Sequence, residues 1–350
     1  MNVEYGTDLR DWETCDPTAQ LTTWHGRRCV KITQAGGYLL LKREPSLDSY
    51  RLAVDVAITG PDGYAGLIFA AQDPANYELV YVYPEKGAPG WIQYDPVMHG
   101  SNTWQIYHGP PCQTPAPVPA GEWVHLALDV YPDRVAVLLG DVVAPQLVVS
   151  LMHGRSRGRI GLWSYVPTNR GPAYLGQPAI SLISAATPPV YASWTPSPTT
   201  ITQWLVSSPE VLASVTTPPQ PDATWQRVHV EKNGTMNLNR LFSPEGRAVV
   251  YAYAAVHATD TTKATISLGF SDRLRLWLNG RQIYGGEHCW DPPRSDGRIR
   301  LNQARVPVDL QAGQNTILAE VSELESAFGW GFILGVEAPG QELRFQTALP

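Results

Sequence analysis

The feature that most constrains the fold of this chain is an alternation of apolar and polar residues with a period of two. Between residues 51 and 58, every second side chain is aliphatic and falls on one face of an extended strand. The same pattern recurs at 124–130 and 135–139, on either side of a Pro132-Asp133 turn, and predicts an antiparallel hairpin. Stretches of ten or more residues with an apolar stripe at helical spacing are missing. The sequence therefore predicts an all-β protein.

The length and the proline distribution predict two domains. The chain has 350 residues, and a domain has roughly 100–200. Prolines cluster between residues 183 and 221, and proline cannot donate to a central strand ladder. We therefore expect a linker there, with domains at 1–187 and 188–350. In the second half, Asn279-Gly280 between two apolar runs predicts a type I′ hairpin. About eight strands per half fit two β-sandwich (jelly-roll) domains in tandem.

Charge and hydropathy exclude several partners. The chain carries 26 Lys and Arg against 32 Asp and Glu, a net charge of −6, so it lacks the basic footprint of a nucleic-acid-binding protein. Its longest apolar runs are far shorter than the ~20 residues that cross a bilayer, and we expect no membrane partner. The N-terminus has neither a basic start nor an apolar segment typical of a secretory signal. We therefore expect a cytoplasmic protein, with export by another route left open.

The cysteines and histidines give no strong indication of a disulfide framework or a cofactor. Cys15, Cys29, Cys112 and Cys289 are too scattered for a zinc site, and free thiols are favoured over a Cys15–Cys29 disulfide. The sequence shows no glycine-rich phosphate loop, and we expect no cofactor. A structural calcium ion stays open, because loop carboxylates can bind it without a spacing signature. The carboxylates considered are Asp62, Asp73, Asp260 and Asp272.

The aromatic composition points to recognition. Trp and Tyr, at 12 and 16, far outnumber Phe, at 6. A sugar site needs flat aromatic surface for stacking and polar groups for the hydroxyls. One segment has this mixture, with Trp91, Tyr94 and Trp104 expected to stack and three polar residues expected to bind hydroxyls. The polar residues are Gln93, His99 and Asn102. The preceding alternation of Tyr77, Leu79, Tyr81 and Tyr83 fits either a sheet core or a platform for a ligand.

A second candidate lies in the long loop after the predicted hairpin. Structured loops at the rim of a sandwich are where binding residues gather. The ligand-binding candidates in this loop are Glu287, His288, Trp290 and Asp291. We expect this loop and the loop around 91–107 to form the ligand-facing surface.

Catalytic residues are not assigned by the sequence. Glycoside hydrolysis needs two carboxylates about 5–10 Å apart, and the pairs available are Glu78 with Asp95 and Glu287 with Asp291. A Ser-His-Asp triad has no nucleophile-elbow motif to support it. The sequence therefore leans against an enzyme without deciding the question.

The first half resembles a known fold family. The run Gly66-Leu-Ile-Phe-Ala-Ala-Gln-Asp-Pro-Ala-Asn-Tyr-Glu-Leu-Val-Tyr-Val82, followed by Ile92-Gln-Tyr94, Gly121-Glu-Trp-Val-His125 and Gly158-Arg-Ile-Gly-Leu-Trp163, resembles concanavalin-like and laminin-G-like jelly rolls. These include the domain family linked to 3-keto-disaccharide hydrolysis. The likeness spans about residues 25–183. It implies a jelly roll, and this fold hosts lectins, adhesion modules and enzymes alike.

The second half is similar to galactose-binding-like β-sandwiches attached to glycosidases. The residues that carry this likeness are Ser271-Asp-Arg-Leu-Arg-Leu-Trp-Leu-Asn-Gly-Arg-Gln-Ile-Tyr284, Val306-Pro-Val-Asp-Leu-Gln-Ala-Gly-Gln-Asn-Thr-Ile-Leu318 and Gly329-Trp-Gly-Phe332. The tandem order is similar to that of bacterial proteins.

The sequence therefore predicts a non-catalytic, lectin-like carbohydrate-binding protein. Two alternatives stay open. One is a glycoside hydrolase or lyase acting on a modified sugar in a cleft between the domains. The other is a structural or protein-interaction module, in which aromatic residues such as Trp277 cover an interface.

Overall fold

The computed structural model describes residues 3–4, 8–33, 36–60, 62–167, 171–183, 187–211, 218–244 and 247–346. In these ranges the regular structure consists of β-strands and two short 3-10 helices, Leu9–Asp11 and Leu238–Arg240. This confirms the all-β prediction. Over the same ranges, no helix has the length and apolar character that a membrane span requires.

The strands fall into two groups along the chain. The first eighteen are β1 (Val3–Glu4), β2 (Trp12–Thr14), β3 (Gln20–Trp24), β4 (Arg27–Ile32), β5 (Gly37–Leu41), β6 (Tyr50–Ile58), β7 (Tyr64–Asp73), β8 (Asn76–Glu85), β9 (Ala88–Tyr94), β10 (Val97–Met98), β11 (Ser101–Asn102), β12 (Gln113–Pro115), β13 (Val124–Val130), β14 (Arg134–Leu139), β15 (Leu147–Ser150), β16 (Arg159–Tyr165), β17 (Ala173–Leu175) and β18 (Ala179–Ser181). The others are β19 (Gln203–Val206), β20 (Glu210–Val211), β21 (Gln226–His229), β22 (Met236–Asn237), β23 (Ala248–Ala258), β24 (Thr262–Ser271), β25 (Arg273–Leu278), β26 (Arg281–Glu287), β27 (Trp290–Asp291), β28 (Ser295–Asp296), β29 (Ala304–Leu310), β30 (Gly313–Ser322), β31 (Gly331–Glu337) and β32 (Arg344–Gln346).

The first compact unit comprises Met1–Val97 and Tyr107–Ser193 and is a sandwich of two antiparallel sheets. One sheet has the order β15-β14-β13-β6-β17-β4-β3, with β18 beside β6 and β1 beside β18. The other has the order β10-β8-β7-β16-β5-β2, with β9 beside β8 and β12 beside β9. The predicted hairpin is confirmed, because Leu128 pairs with Val137 across β13 and β14.

The second compact unit comprises Met98–Ile106 and Trp194–Pro350. One of its sheets has the order β21-β19-β23-β30-β25-β26, with β20 and β32 beside β23, and the other has the order β22-β31-β24-β29. Trp204 and Phe332 meet edge to face in the core between them, at 5.0 Å. The predicted Asn279-Gly280 hairpin joins Leu278 to Arg281, and both turn residues have positive φ, 50° and 77°.

The observed units differ from the predicted linear division at residue 187 in two respects, the first of which is that the first unit extends to Ser193. Residues 98–106 lie between strands of the first unit along the chain but belong to the second. Gln105 forms two backbone hydrogen bonds there: its N–H donates to Phe328 O at 3.0 Å, and its carbonyl accepts from Ile299 N at 2.9 Å. A single boundary position in the sequence cannot describe a short segment that belongs to the other unit.

Aromatic residues cover the outer sheet faces of both units. In the first unit, side chains of β5, β7, β8 and β16 form a cluster that we call the tyrosine face. Its members are Tyr38, Tyr64, Tyr81, Tyr83, Trp163 and Tyr165. The stripe predicted on β8 is therefore part of a packed sheet face, with Tyr81 stacked on Trp163 at 5.1 Å.

Trp277, which the sequence suggests as a residue that covers an interface, is buried within its own unit. It is only 7% exposed and packs against Leu205, Tyr251 and Tyr253 on the outer face of the larger sheet of its own unit. The Arg275 guanidinium lies 5.5 Å from the Trp277 ring, which is a cation–π contact.

All four cysteines are free, and Cys29 and Cys112 are buried. The thiols favoured by the sequence are therefore present in place of a Cys15–Cys29 disulfide.

Candidate functional site

The first predicted loop is divided between core and surface. Residues 91–94 belong to β9, not to a loop. Tyr94 is fully buried, and Gln93, at 2% exposure, donates from its side-chain amide to Tyr107 O at 3.0 Å. Trp91 is half-buried and donates from Nε1 to Glu85 Oε2 at 2.6 Å. The expected stacking role of Tyr94 and the expected hydroxyl contacts of Gln93 are therefore corrected, because neither side chain reaches the surface.

Tyr94 acts instead as a polar clamp inside the first unit. Its hydroxyl donates to Glu78 and accepts from Met152 N at 2.8 Å. Glu78 also accepts from His153 N at 2.8 Å. Burial and the Glu78 charge raise the pKa of the Tyr94 hydroxyl well above its ordinary value. The clamp joins β8, β9 and the segment after β15.

The clamp predicts a loss of stability when the hydroxyl is removed. Tyr94→Phe leaves the Glu78 carboxylate and the Met152 amide each without one partner, so we expect the free energy of unfolding to fall by about 2 kcal/mol. Chemical denaturation followed by tryptophan fluorescence measures this change. Tyr165→Phe, at a half-buried position of the tyrosine face, is the matched control, with an expected loss below about 0.5 kcal/mol. Equal losses in the two variants would contradict the clamp.

The second unit brings Trp104 and Trp290 together. Phe328 lies between them, with its ring centroid 5.7 Å from that of Trp104 and 6.0 Å from that of Trp290. The Arg298 guanidinium lies 5.4 Å from the Trp104 ring. We call these four residues the loop cluster. Trp290 is 50% exposed, and Trp104 and Phe328 are half-buried. The loop cluster thus contains one residue from each of the two predicted loops.

A polar network holds the three segments of the loop cluster in place. Gln105, next to Trp104, donates to Glu325 Oε2 at 3.0 Å and accepts from the Ser271 hydroxyl at 3.0 Å. Trp290 N donates to Glu325 Oε1 at 2.8 Å. Asp272 Oδ2 accepts from Leu324 N and Glu325 N, at 2.5 and 2.9 Å. Because most of these groups are satisfied by one another, the loops have a defined geometry.

The Asp272 carboxyl is protonated at neutral pH. Burial, followed by the hydrogen bond to Glu325 and the charge of Glu325, raises the pKa of Asp272 to about 8. Asp272 is only 1% exposed, so this acid lies beneath the loops and does not face a ligand.

The remaining predicted residues of the second loop occupy three different environments. Asp291 is exposed and forms an ion pair with Arg294 at 2.5 Å. Glu287 is exposed at the end of β26, opposite Arg273. His288 is half-buried, with Nδ1 3.1 Å from the Ser295 hydroxyl, and burial lowers its pKa.

His99 and Asn102 belong to the segment donated to the second unit. His99 Nδ1 lies 2.7 Å from Asn239 O. Asn102 is half-buried, and its carbonyl accepts from the Ser101 hydroxyl at 3.0 Å. Both residues thus form hydrogen bonds within the second unit.

The carboxylate pairs considered for catalysis have no support from burial. Glu78 and Asp95 both have 0% exposure, so no sugar reaches them. Glu287 and Asp291 are both exposed to solvent.

One group of potential metal ligands is present among the described residues. Single ligand atoms of Asp272, Cys289 and Glu325 lie within 4.8 Å of one another. Burial raises the pKa of the Cys289 thiol to about 12, and Asp272 is protonated as well. Calcium prefers six to eight oxygen ligands, and a protonated thiol beside a protonated acid does not fit it.

Sequence reasoning missed Gln105, Arg298, Glu325 and Phe328. The local sequence around Phe328 reads Ala-Phe-Gly-Trp, which is typical of a turn into a strand and carries no indication of binding. Glu325 lies 220 residues from Gln105 along the chain. Only the folded unit reveals the contact.

The first unit also contains a groove of about 600 Å³ lined by Arg27, Asp55, Trp123 and His125, among others. Asp55 binds both the Arg27 guanidinium and His125 Nδ1, the latter at 2.9 Å. The His125 hydrogen bond and the Arg27 charge hold the pKa of Asp55 below its usual range. The charges of this groove are therefore largely engaged with one another.

Comparisons with known proteins give fold likenesses only. The sequence matches no family profile and no curated protein. Among solved structures it is similar to a carbohydrate binding module, CBM66, from Bacillus subtilis, with 15% identity, 49% of this chain and 96% of that chain covered, and a TM-score of 0.38. A legume lectin-like domain from Entamoeba histolytica matches with 10% identity, coverages of 50% and 92%, and a TM-score of 0.35. A glycosidic hydrolase matches with 10% identity, coverages of 54% and 97%, and a TM-score of 0.38. With TM-scores of at most 0.38 among these, the fold assignment rests on the strand pairing described above.

Proposed function

We propose that this protein binds carbohydrate without transforming it, through the loop cluster of the second unit. The observation that carries the proposal is the half-exposed Trp290 indole, which stands beside Phe328 and Trp104 on loops tied together by Glu325. Large apolar side chains on a rigid exposed loop are typical of recognition surfaces. An indole face stacks on the C–H face of a pyranose, and the surrounding polar groups meet its hydroxyls.

The charged residues around Trp290 fit this chemistry. Asp291 and Arg294 are exposed on the same short turn, and Arg298 lies over Trp104. Together they offer both donors and acceptors, which a hydroxyl requires because it uses both. On this proposal the first unit is a concanavalin-like or laminin-G-like sandwich and the second is a galactose-binding-like sandwich.

The buried acid argues for recognition over hydrolysis. A protonated carboxyl at neutral pH is what a general acid needs, and Asp272 has that property. Its oxygens, however, bind Ser271, Leu324 N and Glu325 N, and it is sealed from the surface. We assign it a positioning role for the loop that carries Phe328. The burial of Trp277 within its own unit likewise removes the main support for an interaction module.

Binding to a panel of neutral oligosaccharides, first on an array and then by titration calorimetry, tests the proposal. Trp290→Ala should weaken binding of the neutral oligosaccharide with the highest affinity about 30-fold, since a central tryptophan contributes ~2 kcal/mol to binding. Trp104→Ala should also weaken it. Trp91→Ala is the control, because that half-buried indole lies in the first unit and outside the loop cluster. The affinity of this variant for the oligosaccharide should stay within about twofold of the wild-type value. Wild-type affinity in both loop-cluster variants would refute the site.

A further inference from the structure

The first unit contains a second groove, of about 520 Å³, that we call the basic groove. Its lining includes four cations, Lys42, Arg155, Arg157 and Arg159, with Glu44 and Ala71. Four positive side chains around one concave surface contrast with the net charge of −6 on the whole chain. The concentration of cations is therefore local and not a consequence of composition.

Two of the four cations already hold carboxylates. Arg157 binds Asp48 through Nε and Nη2, the latter at 2.8 Å from Asp48 Oδ2. Arg159 Nη1 binds Glu13 Oε2 at 2.5 Å. These pairs are neutral overall, and they fix the walls of the groove.

The other two cations have no carboxylate in contact within the described ranges. Lys42 is exposed, and its Nζ donates to a backbone carbonyl, Arg10 O, at 2.8 Å. Arg155 is half-buried, and its Nε and Nη2 are sealed from water without a hydrogen-bond partner among the described residues. Lys42 and Arg155 thus leave the groove with charge that is not paired by contact.

The carboxylates nearest to Arg155 act on it only through space. Glu78, Asp73 and Glu44, the last of which lines the groove itself, raise its pKa, but burial outweighs them and lowers it. Glu78 is engaged by Tyr94 and His153, and Asp73 accepts from Ala75 N at 2.7 Å and from Asn76. A partly desolvated cation without a carboxylate in contact is costly, and an oxyanion in the groove would add negative charge beside it.

We propose that the basic groove binds an oxyanion group, a uronate carboxylate or a sulfate ester, of an acidic glycan. That the oxyanion group is attached to a sugar rests on the proposed function. The groove itself is a second site, with a different ligand chemistry. Guanidinium groups match the planar geometry of such oxyanions, and an ammonium group adds a flexible point charge.

The surface next to the groove favours a sugar as the molecule that bears the oxyanion group. Ala71 lines the groove and also belongs to the hydrophobic cluster that contains Tyr77, Tyr81 and Trp163 of the tyrosine-face sheet. Arg159 lies opposite Ala71 across β16 and β7. The half-buried Tyr38 ring of the same face lies close enough for the Arg159 charge to act on its hydroxyl. An anionic group in the groove thus places the attached ring beside aromatic surface.

The experiment compares polygalacturonate oligomers, dextran sulfate, neutral dextran and sodium sulfate by titration calorimetry on the full chain, at 50 and 300 mM sodium chloride. The polyanions should bind at least tenfold more tightly than neutral dextran at low salt, and the difference should shrink at high salt because salt screens the contacts. Arg155→Gln and the exposed Lys42→Gln should each weaken binding of the polyanions about tenfold. Arg281→Gln is the matched control, since it removes one positive charge from an exposed position of the second unit.

The outcomes separate this inference from the proposed function. Equal binding of polygalacturonate and dextran, or equal effects of Arg155→Gln and Arg281→Gln, would overturn the basic groove. Since Lys42 is exposed, its variant keeps the test valid if Arg155→Gln fails to fold. If sodium sulfate binds as tightly as the oligomers, the inference that the oxyanion group belongs to a glycan is wrong. Polyanion binding lost in Trp290→Ala but retained in Arg155→Gln and Lys42→Gln would move the ligand to the loop cluster, which supports the proposed function and overturns the groove.

Discussion

Replacing Asp272 by Asn is expected to abolish a pH-dependent loss of stability in the second unit. The folded protein holds the Asp272 proton with a pKa of about 8, against the usual value of 3.8. The folded state therefore binds this proton more tightly than the unfolded chain does. The stability associated with the protonated acid is complete below about pH 4 and is lost as the pH rises towards 8. The slope is roughly 1.4 kcal/mol per pH unit, or about 3 kcal/mol between pH 5 and pH 7.5.

Asparagine keeps the shape of the protonated acid and can donate to Glu325 without titrating. The difference in free energy of unfolding between Asp272→Asn and the wild type should therefore grow with pH from 5 to 8, as measured by denaturant titrations at each pH. Other groups, including His288 and Glu323, titrate in both proteins and cancel in the difference.

Asp296→Asn is the control for this experiment. Hydrogen bonds from Arg300 hold the pKa of Asp296 at about 2, so its contribution is present above about pH 4 and is lost only as the pH falls towards 2. We expect this variant to lower stability by an amount that varies between pH 5 and 8 only through His288, whose pKa the Asp296 charge raises. Parallel curves for Asp272→Asn and the wild type over that range would show that Asp272 is ionised in the folded protein.

Replacing Gly269 by Ala is expected to destabilise the second unit by about 3 kcal/mol and to weaken binding at the loop cluster. Gly269 lies in β24, where a Cβ would stand 2.1 Å from Arg300 O, 2.6 Å from its carbonyl carbon and 2.8 Å from its nitrogen. All three are backbone atoms, so no side-chain rotation relieves the overlap. Arg300 directly follows Arg298 and Ile299 in the sequence, so a shift of its backbone would also move these two residues. Ile299 N donates to Gln105 O, and Arg298 lies over Trp104.

The control is Gly280→Ala in the hairpin turn. Gly280 has φ of 77° and no neighbouring atom within 4 Å of a built Cβ, so the substitution meets only backbone strain of about 1 kcal/mol. Thermal unfolding and calorimetry with the neutral oligosaccharide measure stability and binding in the same samples. If both glycine variants lose stability equally and bind alike, the close approach of Arg300 to β24 does not control the loop cluster.

The strands and the tight turn were predictable because they depend on local properties. Alternation places every second residue of β6 on the buried face, and Leu52 and Val54 lie there as expected. Asn279 and Gly280 tolerate positive φ, and that tolerance is a property of the two residues themselves. The residues of the aromatic-rich segments were also recognised, including Trp104 and Trp290.

The direction in which each aromatic residue points was not predictable. Trp91 and Tyr94 lie on opposite faces of β9, so one is half-buried and the other belongs to the core. Composition treats the two as equal candidates. A single sequence gives the period of a strand, but not which of its two faces a second sheet covers.

By itself, the sequence determined that this chain builds two β-sandwich domains and that its loops are rich in Trp, Tyr and polar residues. Only the tertiary structure decided that residues 98–106 join the second unit and that Trp104 and Trp290 meet at Phe328. The reason is physical: strand formation depends on neighbours a few residues away, whereas the loop cluster depends on contacts such as Gln105 with Glu325, which are separated by 220 residues. Packing and hydrogen bonding across that separation leave no trace in local pattern.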